Sequence, residues 1–265
     1  MEERLAIIRL KPERIVDWWS FLGAGAEVLE RVYPKAQRIV VEPDPLLLAR
    51  SEAAAARPWW SLRRRGDART EVMLDTDEPR AGAQLVWANM MVHAVADPPA
   101  LFMRWERLLA VDGFVMFSCL GPGTLKELRE LYRRLGWPQP TPDFIDMHDL
   151  GDMLVGAGFA DPVMDQETLS LRWTDPDALL RELRSLGRNT RPDRPGGLRT
   201  PKWRAALLEG LESLRELDGS IALSFEIAYG HAFKGAPRLR TDQPTTVSLD
   251  DMRALVRSGK RSSSP

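Results

Sequence analysis

The chain has 265 residues, 44% of them hydrophobic and 28% charged, with a formal net charge of −1. That is enough apolar material for one large core, and far too little net charge for a field that would gather nucleic acid. No apolar run is long enough to span a bilayer and no charged-then-apolar leader opens the sequence, so a cytoplasmic protein with no membrane or nucleic-acid partner is expected.

Arg14 to Asp17 is a short apolar run ending in a carboxylate, a helical pattern follows over Ala24 to Val32, and Arg38 to Glu42 (RIVVE) is a second strand ending in an acid. This is a β-α-β unit, in which the first turn faces a ligand and the second-strand acid can accept from both hydroxyls of a ribose. Asp17 and Glu42 lie 25 residues apart, close to the roughly 20 of dinucleotide folds. Glycines line such a turn because its backbone passes through positive φ against the ligand. Counted without a gap from Asp17, however, Trp19 and Phe21 occupy the first two glycine positions and only Gly23 keeps the third. A non-glycine residue held there costs on the order of 1–3 kcal/mol, and an aromatic ring fills space that a ligand would use. Two readings stay open: a loop that reshapes slightly and still binds, or a crevice that is remodelled or lost.

Ser61 to Arg65 reads as a third strand leading into Gly66-Asp67, and Gln84 to Ala88 (QLVWA) as a fourth leading into Asn89. Gly113 to Leu120 reads as a fifth, after a helix from about Pro99 to Leu109. Alternating strands and helices predict an α/β fold with a doubly wound, mostly parallel sheet, whose ligands sit beyond the carboxyl ends of the strands. That rule gathers the loop after Asp17, Glu42, Asp67, Asn89 and the Gly121-Pro122 turn around one crevice. Then follow a helix from Gly123 to about Gly136, a proline-rich link (PQPTPD), a helix from Asp146 to Gly156 and an alternating strand over Asp161 to Trp173. Residues 175–217 are helical, interrupted by RNTRPDRPGG, and Ile221 to Phe233 closes the sheet. A helical insertion before the last strand is placed to act as a lid. One domain is expected over residues 1–235, with a polar and largely disordered tail over 236–265 that has room for one short helix at Leu249 to Val256.

Chemistry-bearing residues are sparse. Cys119 is the single cysteine, which excludes an internal disulfide, and its setting in FVMFSCL is that of a buried bystander. His93, His148 and His231 are scattered without metal-ligand spacing, so no metal site is expected. Between Arg181 and Arg204 lie Arg181, Arg184, Arg188, Arg191, Arg194, Arg199, Lys202 and Arg204 against only Glu182 and Asp193. The segment reads either as a solvated helix face or as a docking surface for an acidic partner, with one arginine turned inward to fork a carboxylate. With Trp203 its one aromatic, it offers no stacking platform for nucleic acid.

FSCLGPGTLKELREL (Phe117 to Leu131), DMHDLGDMLVGAGFADPVMD (Asp146 to Asp165), DALLRELRSLGRN (Asp177 to Asn189) and FEIAYGHAF (Phe225 to Phe233) resemble, in order and spacing, segments of the malonyl-acyl-carrier-protein O-methyltransferases of biotin synthesis. The resemblance covers roughly Arg4 to Phe233. It implies a Rossmann-like class I methyltransferase with a seven-stranded sheet, S-adenosylmethionine as methyl donor, and methylation of the free carboxylate of malonyl-acyl carrier protein. The class pattern (D/E)xGxGxG carries over onto Asp17 and Gly23, the ribose acid onto Glu42, the adenine-side acid onto Asp67, and the residue after the fourth strand onto Asn89. A carboxylate is already an anion at neutral pH, so no general base is implied, and catalysis would rest on holding its oxygen in line with the donor methyl. Arg184 and Arg188 are the candidates for holding that carboxylate, and the basic segment Arg181 to Arg204 is the candidate face for the carrier. The chain departs from the family at Trp19 and Phe21, at Ala94 where the family often has Trp, and in the 13 residues that precede its first strand, fewer than the family carries. The alternative to an active enzyme is a catalytically impaired protein of the same fold that binds an acyl carrier or another acidic partner.

Overall fold

The computed structural model describes residues 1–56, 70–187, 189, 191, 194, 196 and 199–236. Met1–Gly235 forms a compact unit. Its sheet contains β1 (Arg14–Trp18), β2 (Gln37–Glu42), β3 (Thr70–Leu74), β4 (Ala83–Ala88), β5 (Leu109–Leu120), β6 (Phe159–Trp173) and β7 (Ile221–Lys234), in the spatial order β3-β2-β1-β4-β5-β7-β6. The first five strands of that order run parallel, and β7 inserts antiparallel between β5 and β6. This is the expected seven-stranded, mostly parallel sheet.

The helices are α1 (Glu2–Leu5), α2 (Ser20–Gly23), α3 (Ala26–Val32), α4 (Pro45–Ala55), α5 (Pro98–Leu108), α6 (Lys126–Arg134), α7 (Met147–Gly156), α8 (Pro176–Ser185) and α9 (Pro201–Glu212). Four of them start on one local device. Asp44, Asp97, Asp175 and Thr200 each accept backbone N–H bonds in the first turn, and each is followed by a proline at the first helical position. The proline brings a fixed φ and lacks only an N–H that has no helical partner there.

Three expectations shift. The strand expected at Ser61–Arg65 lies outside the described residues, as does Asp67; the third strand of the sheet is Thr70–Leu74, in register with β2 from Arg38↔Thr70 to Glu42↔Leu74. The helix expected from Ala24 begins at Ala26, because Ala24 adopts φ 49° at the end of a separate short helix, α2. The helix expected from Gly123 begins at Lys126, after Leu125 turns left-handed at φ 53° and donates its N–H to the Ser224 carbonyl at 2.6 Å. The tail beyond Ala236 lies outside the described residues, together with the short helix expected there.

The core divides about the sheet. Trp18, Phe102, Trp105 and Phe117 are fully buried and pack ring against ring, with Trp18 and Trp105 edge to face at 6.0 Å and Phe102 and Phe117 at 5.4 Å. A second cluster joins α6, α8 and α9 to the start of β7 through Leu128, Leu131, Leu179, Leu207, Leu211 and Leu223. The inserted helices are thus fastened to the sheet by leucines on one face each, as their spacing requires. In β7, Gly230 lets the Phe117 ring lie directly on the backbone: a Cβ there would stand 2.4 Å from Phe117 Cζ and 2.9 Å from Met164 Sδ. Gly230→Val is expected to lower stability by about 1–3 kcal/mol through overpacking, read as an earlier midpoint in urea denaturation with an unchanged slope.

Candidate functional site

The carboxyl ends of β1, β2, β3 and β4 bring together Asp17, Glu42, Asp75 and Asn89. Asp17 is buried near the end of β1. It is 1% exposed, its Oδ2 accepts from Ser20 Oγ at 2.5 Å, and Arg38 Nη1 lies 3.9 Å away. Burial pushes its carboxyl up to about 6, against the opposing pull of Ser20 and Arg38. Its observed contact holds the turn after β1 to the strand.

Glu42 closes β2 and has no exposed surface. Its Oε1 accepts from the Phe21 N–H at 2.9 Å and from Ser51 Oγ at 2.6 Å, while its buried Oε2 has no partner. Burial raises its pKa, with the two bonds opposing. The loop reaches Glu42 because Trp19 takes a left-handed conformation, φ 53° and ψ 49°, and donates its N–H to the Val41 carbonyl at 2.7 Å. Its indole then runs across the ends of β2 and β3, with Nε1 3.4 Å from Asp75 Oδ2, and the Asp75 N–H in turn donates to the Glu42 carbonyl at 2.8 Å. The two aromatics that replace loop glycines therefore differ. Trp19 packs against the core and reaches from the end of β1 to Asp75 after β3. The Phe21 ring is 40% exposed and turned toward Arg50, whose guanidinium lies 5.5 Å from the ring centre; the part of Phe21 that enters the site is its backbone N–H.

Gly23 and Asn89 meet. Asn89 Nδ2 donates to the Gly23 carbonyl at 2.6 Å, and a Cβ on Gly23 would stand 2.9 Å from the Asn89 carbonyl oxygen. Ser118 Oγ on β5 donates to Asn89 Oδ1 at 2.7 Å and accepts from the Met90 N–H at 3.0 Å. This chain of bonds locks the loop after β1 to the ends of β4 and β5. The Gly121-Pro122-Gly123 turn serves packing: Cβ atoms there would fall 2.2 and 2.5 Å from the carboxylate oxygens of Glu226 on β7. Asp75, Ser51 and Ser118 escaped the sequence reading. The signal for Ser118 was a hydroxyl inside an otherwise apolar strand, and for Asp75 an acid at the end of a β-type run.

Beside the crevice lies a chamber of about 810 Å³. His93, Ala94, Leu120 and Thr124 form its side toward the sheet, Leu128 and Tyr132 come from α6, Leu180, Leu183 and Arg184 from α8, and Trp203 and Leu207 from α9. Ala94, at the position where the resemblance leads one to expect Trp, leaves this space open. His93 Nδ1 accepts the Leu120 N–H at 3.3 Å, and burial lowers its pKa to about 4, so the ring is neutral at physiological pH. Burial pushes the Cys119 thiol up to about 12, out of reach as a nucleophile. Arg184 lines the chamber and has no hydrogen-bond or ion-pair partner among the described residues. Arg188 lies outside them. Elsewhere in the basic segment, Arg181 pairs with Asp175 at 3.6 Å, Arg191 with Asp143 at 2.7 Å, and Arg204 with Asp177, so several of its charges are answered from outside the segment.

A parallel sheet closed by an antiparallel seventh strand, with acids at successive strand ends and a chamber beside them, defines a class I methyltransferase fold. A putative methyltransferase from Bacillus halodurans shares it, at a TM-score of 0.55 and 12% identity over 89% of this chain and 97% of that one. No protein-family model matches the chain. Curated relatives do, among them a malonyl-[acyl-carrier protein] O-methyltransferase from Gallionella capsiferriformans, 41% identical over 91% of this chain and 84% of the relative, and one from Laribacter hongkongensis, 36% identical over 97% and 85%. The chain belongs to the malonyl-[acyl-carrier protein] O-methyltransferase family.

Two outcomes follow from this geometry. Ionised Asp17 is disfavoured in the folded state, so the wild type gains stability from this group as pH falls from about 6 toward 4. Asp17→Asn is expected to be more stable than wild type by about 1–3 kcal/mol at pH 7.5, with the gap closing below pH 5 (about one unit under the folded value), as followed by thermal melting across pH. Trp19→Gly is expected to tighten binding of S-adenosylmethionine and S-adenosylhomocysteine about tenfold by titration calorimetry, since it removes an indole whose contact with Asp75 a ligand at the strand ends would have to displace. Phe21→Gly alone should change little, and equal affinities for wild type and Trp19→Gly would show that the indole is no obstacle.

Proposed function

We propose that the chain methylates the free carboxylate of malonyl-acyl carrier protein, an early step of biotin synthesis, with S-adenosylmethionine as the methyl donor. The observation that carries this reading is the presence together of a ribose-type acid, Glu42, whose buried Oε2 has no partner among the described residues, and a mostly apolar chamber containing Arg184, whose side chain likewise has none among them. A buried carboxylate oxygen without a partner is the kind of deficit that ligand sites leave for a ligand to fill. Glu42 would hold the ribose, with Asp75 next to it and the Gly23-Asn89 pair at the other side of the loop. Bound there, the donor supplies an electrophilic methyl group. The Trp19 indole, held at Asp75, lies at the same strand ends that the ribose would approach.

The acceptor needs positioning and no base. A malonyl carboxylate is ionised at neutral pH, and a neutral His93 with a backbone N–H on its Nδ1 leaves the anion as the nucleophile of the chamber. Arg184 presents a fork that matches a carboxylate in two hydrogen bonds. The leucines and Trp203 keep water from the reacting oxygen, which strengthens that pairing and removes a competing nucleophile. The helices α8 and α9 act as the lid of this chamber.

The test is mass spectrometry of malonyl-acyl carrier protein incubated with the protein and S-adenosylmethionine, in which one added methyl on the carboxylate is expected. Arg184→Ala should raise KM for the carrier substrate about tenfold with a smaller change in kcat, the pattern of lost ground-state binding. A variant with unaltered KM would remove Arg184 from the site, and absence of methyl transfer by a folded wild type that binds both ligands would overturn the reaction.

A further inference from the structure

The outer face of α6 carries charge that the chemistry above does not use. Its sequence, KELRELYRR, turns Leu128 and Leu131 inward against the inserted helices. Lys126, Arg129 and Arg133 follow at positions i, i+3 and i+7, which places them in one stripe on the opposite side. One acid of the helix is turned away from this stripe and the other meets it. Glu127 is turned into the fold, where it accepts the Ser224 N–H at 2.9 Å and the Ser224 hydroxyl at 2.5 Å. Glu130 pairs with Arg133. Lys126 is exposed and has no partner among the described residues.

The stripe borders a surface pocket of about 320 Å³ that also contains Tyr132 and Trp137. Tyr132 is shared with the 810 Å³ chamber. Trp137 stacks on Trp203, a chamber residue, at 4.9 Å and 27°, and the Arg199 guanidinium lies 4.8 Å from the Trp203 ring. A basic face and an apolar ledge thus adjoin one wall of the chamber. In the segment that the sequence singled out, Arg181, Arg191 and Arg204 are each matched by an aspartate, as Arg133 is by Glu130 on α6, whereas Lys126 has no such partner among the described residues.

We infer that the Lys126-Arg129-Arg133 stripe of α6, with Arg199 beside it, is the docking face for the acidic surface of the acyl carrier, from which the acyl arm enters the chamber past Tyr132. The inference rests on the reading of this chain as acting on a carrier-bound acyl group. A carrier delivers its acyl group on a tethered arm, so it must dock where surface and chamber share a wall, and α6 meets that requirement. In a chain of net charge −1, a local basic face is a specific attraction, and such rim charges act on encounter and salt dependence.

The experiment compares two probes of the same acyl arm: fluorescently labelled malonyl-acyl carrier protein and free malonyl-pantetheine. Both are titrated into the full chain, wild type and Lys126→Glu/Arg133→Glu. Both residues are exposed, so the variant is expected to fold, and circular dichroism checks this. The expected result is about tenfold weaker binding of the carrier by the variant, with a flatter salt dependence, and unchanged binding of malonyl-pantetheine. Unchanged carrier affinity overturns the docking face, as does equal weakening of both probes, which would make these residues part of the chamber. Carrier binding lost instead in Arg181→Glu/Arg204→Glu would move the face to α8 and α9. Failure of the wild type to bind either probe would sink the carrier-acyl reading itself, and the docking face with it.

Discussion

The carboxyl edge of the sheet is organised by the way one buried carboxylate is satisfied. An ionised group without solvent is costly unless it is hydrogen-bonded, and Glu42 has no exposed surface. Two donors come from different elements, the Phe21 N–H from the loop after β1 and the Ser51 hydroxyl from α4. To place the Phe21 N–H there, the loop turns left-handed at Trp19. That same turn sends the indole across the ends of β2 and β3 to Asp75. The strained residue, the course of the loop and the contact of the indole with Asp75 are therefore one arrangement with one cause.

The crevice and the chamber are coupled by the segment after β4. Asn89 ties it to the loop through Gly23, Ser118 ties it to β5, and four residues further on His93 reaches the chamber. A shift of the loop after β1 is thus transmitted through Asn89 to the side of the chamber nearest the sheet. The chemistry that suits this layout is transfer to an acceptor already charged. An anion needs orientation, a cationic fork and exclusion of water, and a mostly apolar chamber with Arg184 offers those and little else. His93 lines the chamber with its Nδ1 lone pair taken by the Leu120 N–H.

Local signals made much of the fold legible from sequence. The Asp-Pro and Thr-Pro pairs mark helix starts by stereochemistry alone, and the apolar runs ending in Asp17, Glu42 and Asn89 mark parallel strands in order. Tertiary contacts hid the rest. Thr70–Leu74 is a strand because it pairs with β2, and its sequence TEVML shows neither a continuous apolar run nor a full alternation. Leu125 turns left-handed only because Ser224 waits for its N–H. Asp17 and Glu42 looked alike as strand-end acids, yet their partners differ, Ser20 and Arg38 for the one and Phe21 and Ser51 for the other. Trp19 and Phe21 also looked equivalent. Two residues of difference along a turning backbone put one indole against the core and at Asp75, and the other ring at the surface beside Arg50.

An indole in a glycine position would be simple damage if its polar atoms were stranded, and here they are not. The Trp19 N–H has the Val41 carbonyl, the indole N–H approaches Asp75, and the ring packs on the core. These contacts offset the roughly 1–2 kcal/mol of the left-handed turn, so this course of the loop is a well-made state with its own stability. Any change that frees the Phe21 N–H from Glu42 must also disturb the Trp19 contacts to Val41 and Asp75, because one turn of chain makes them all.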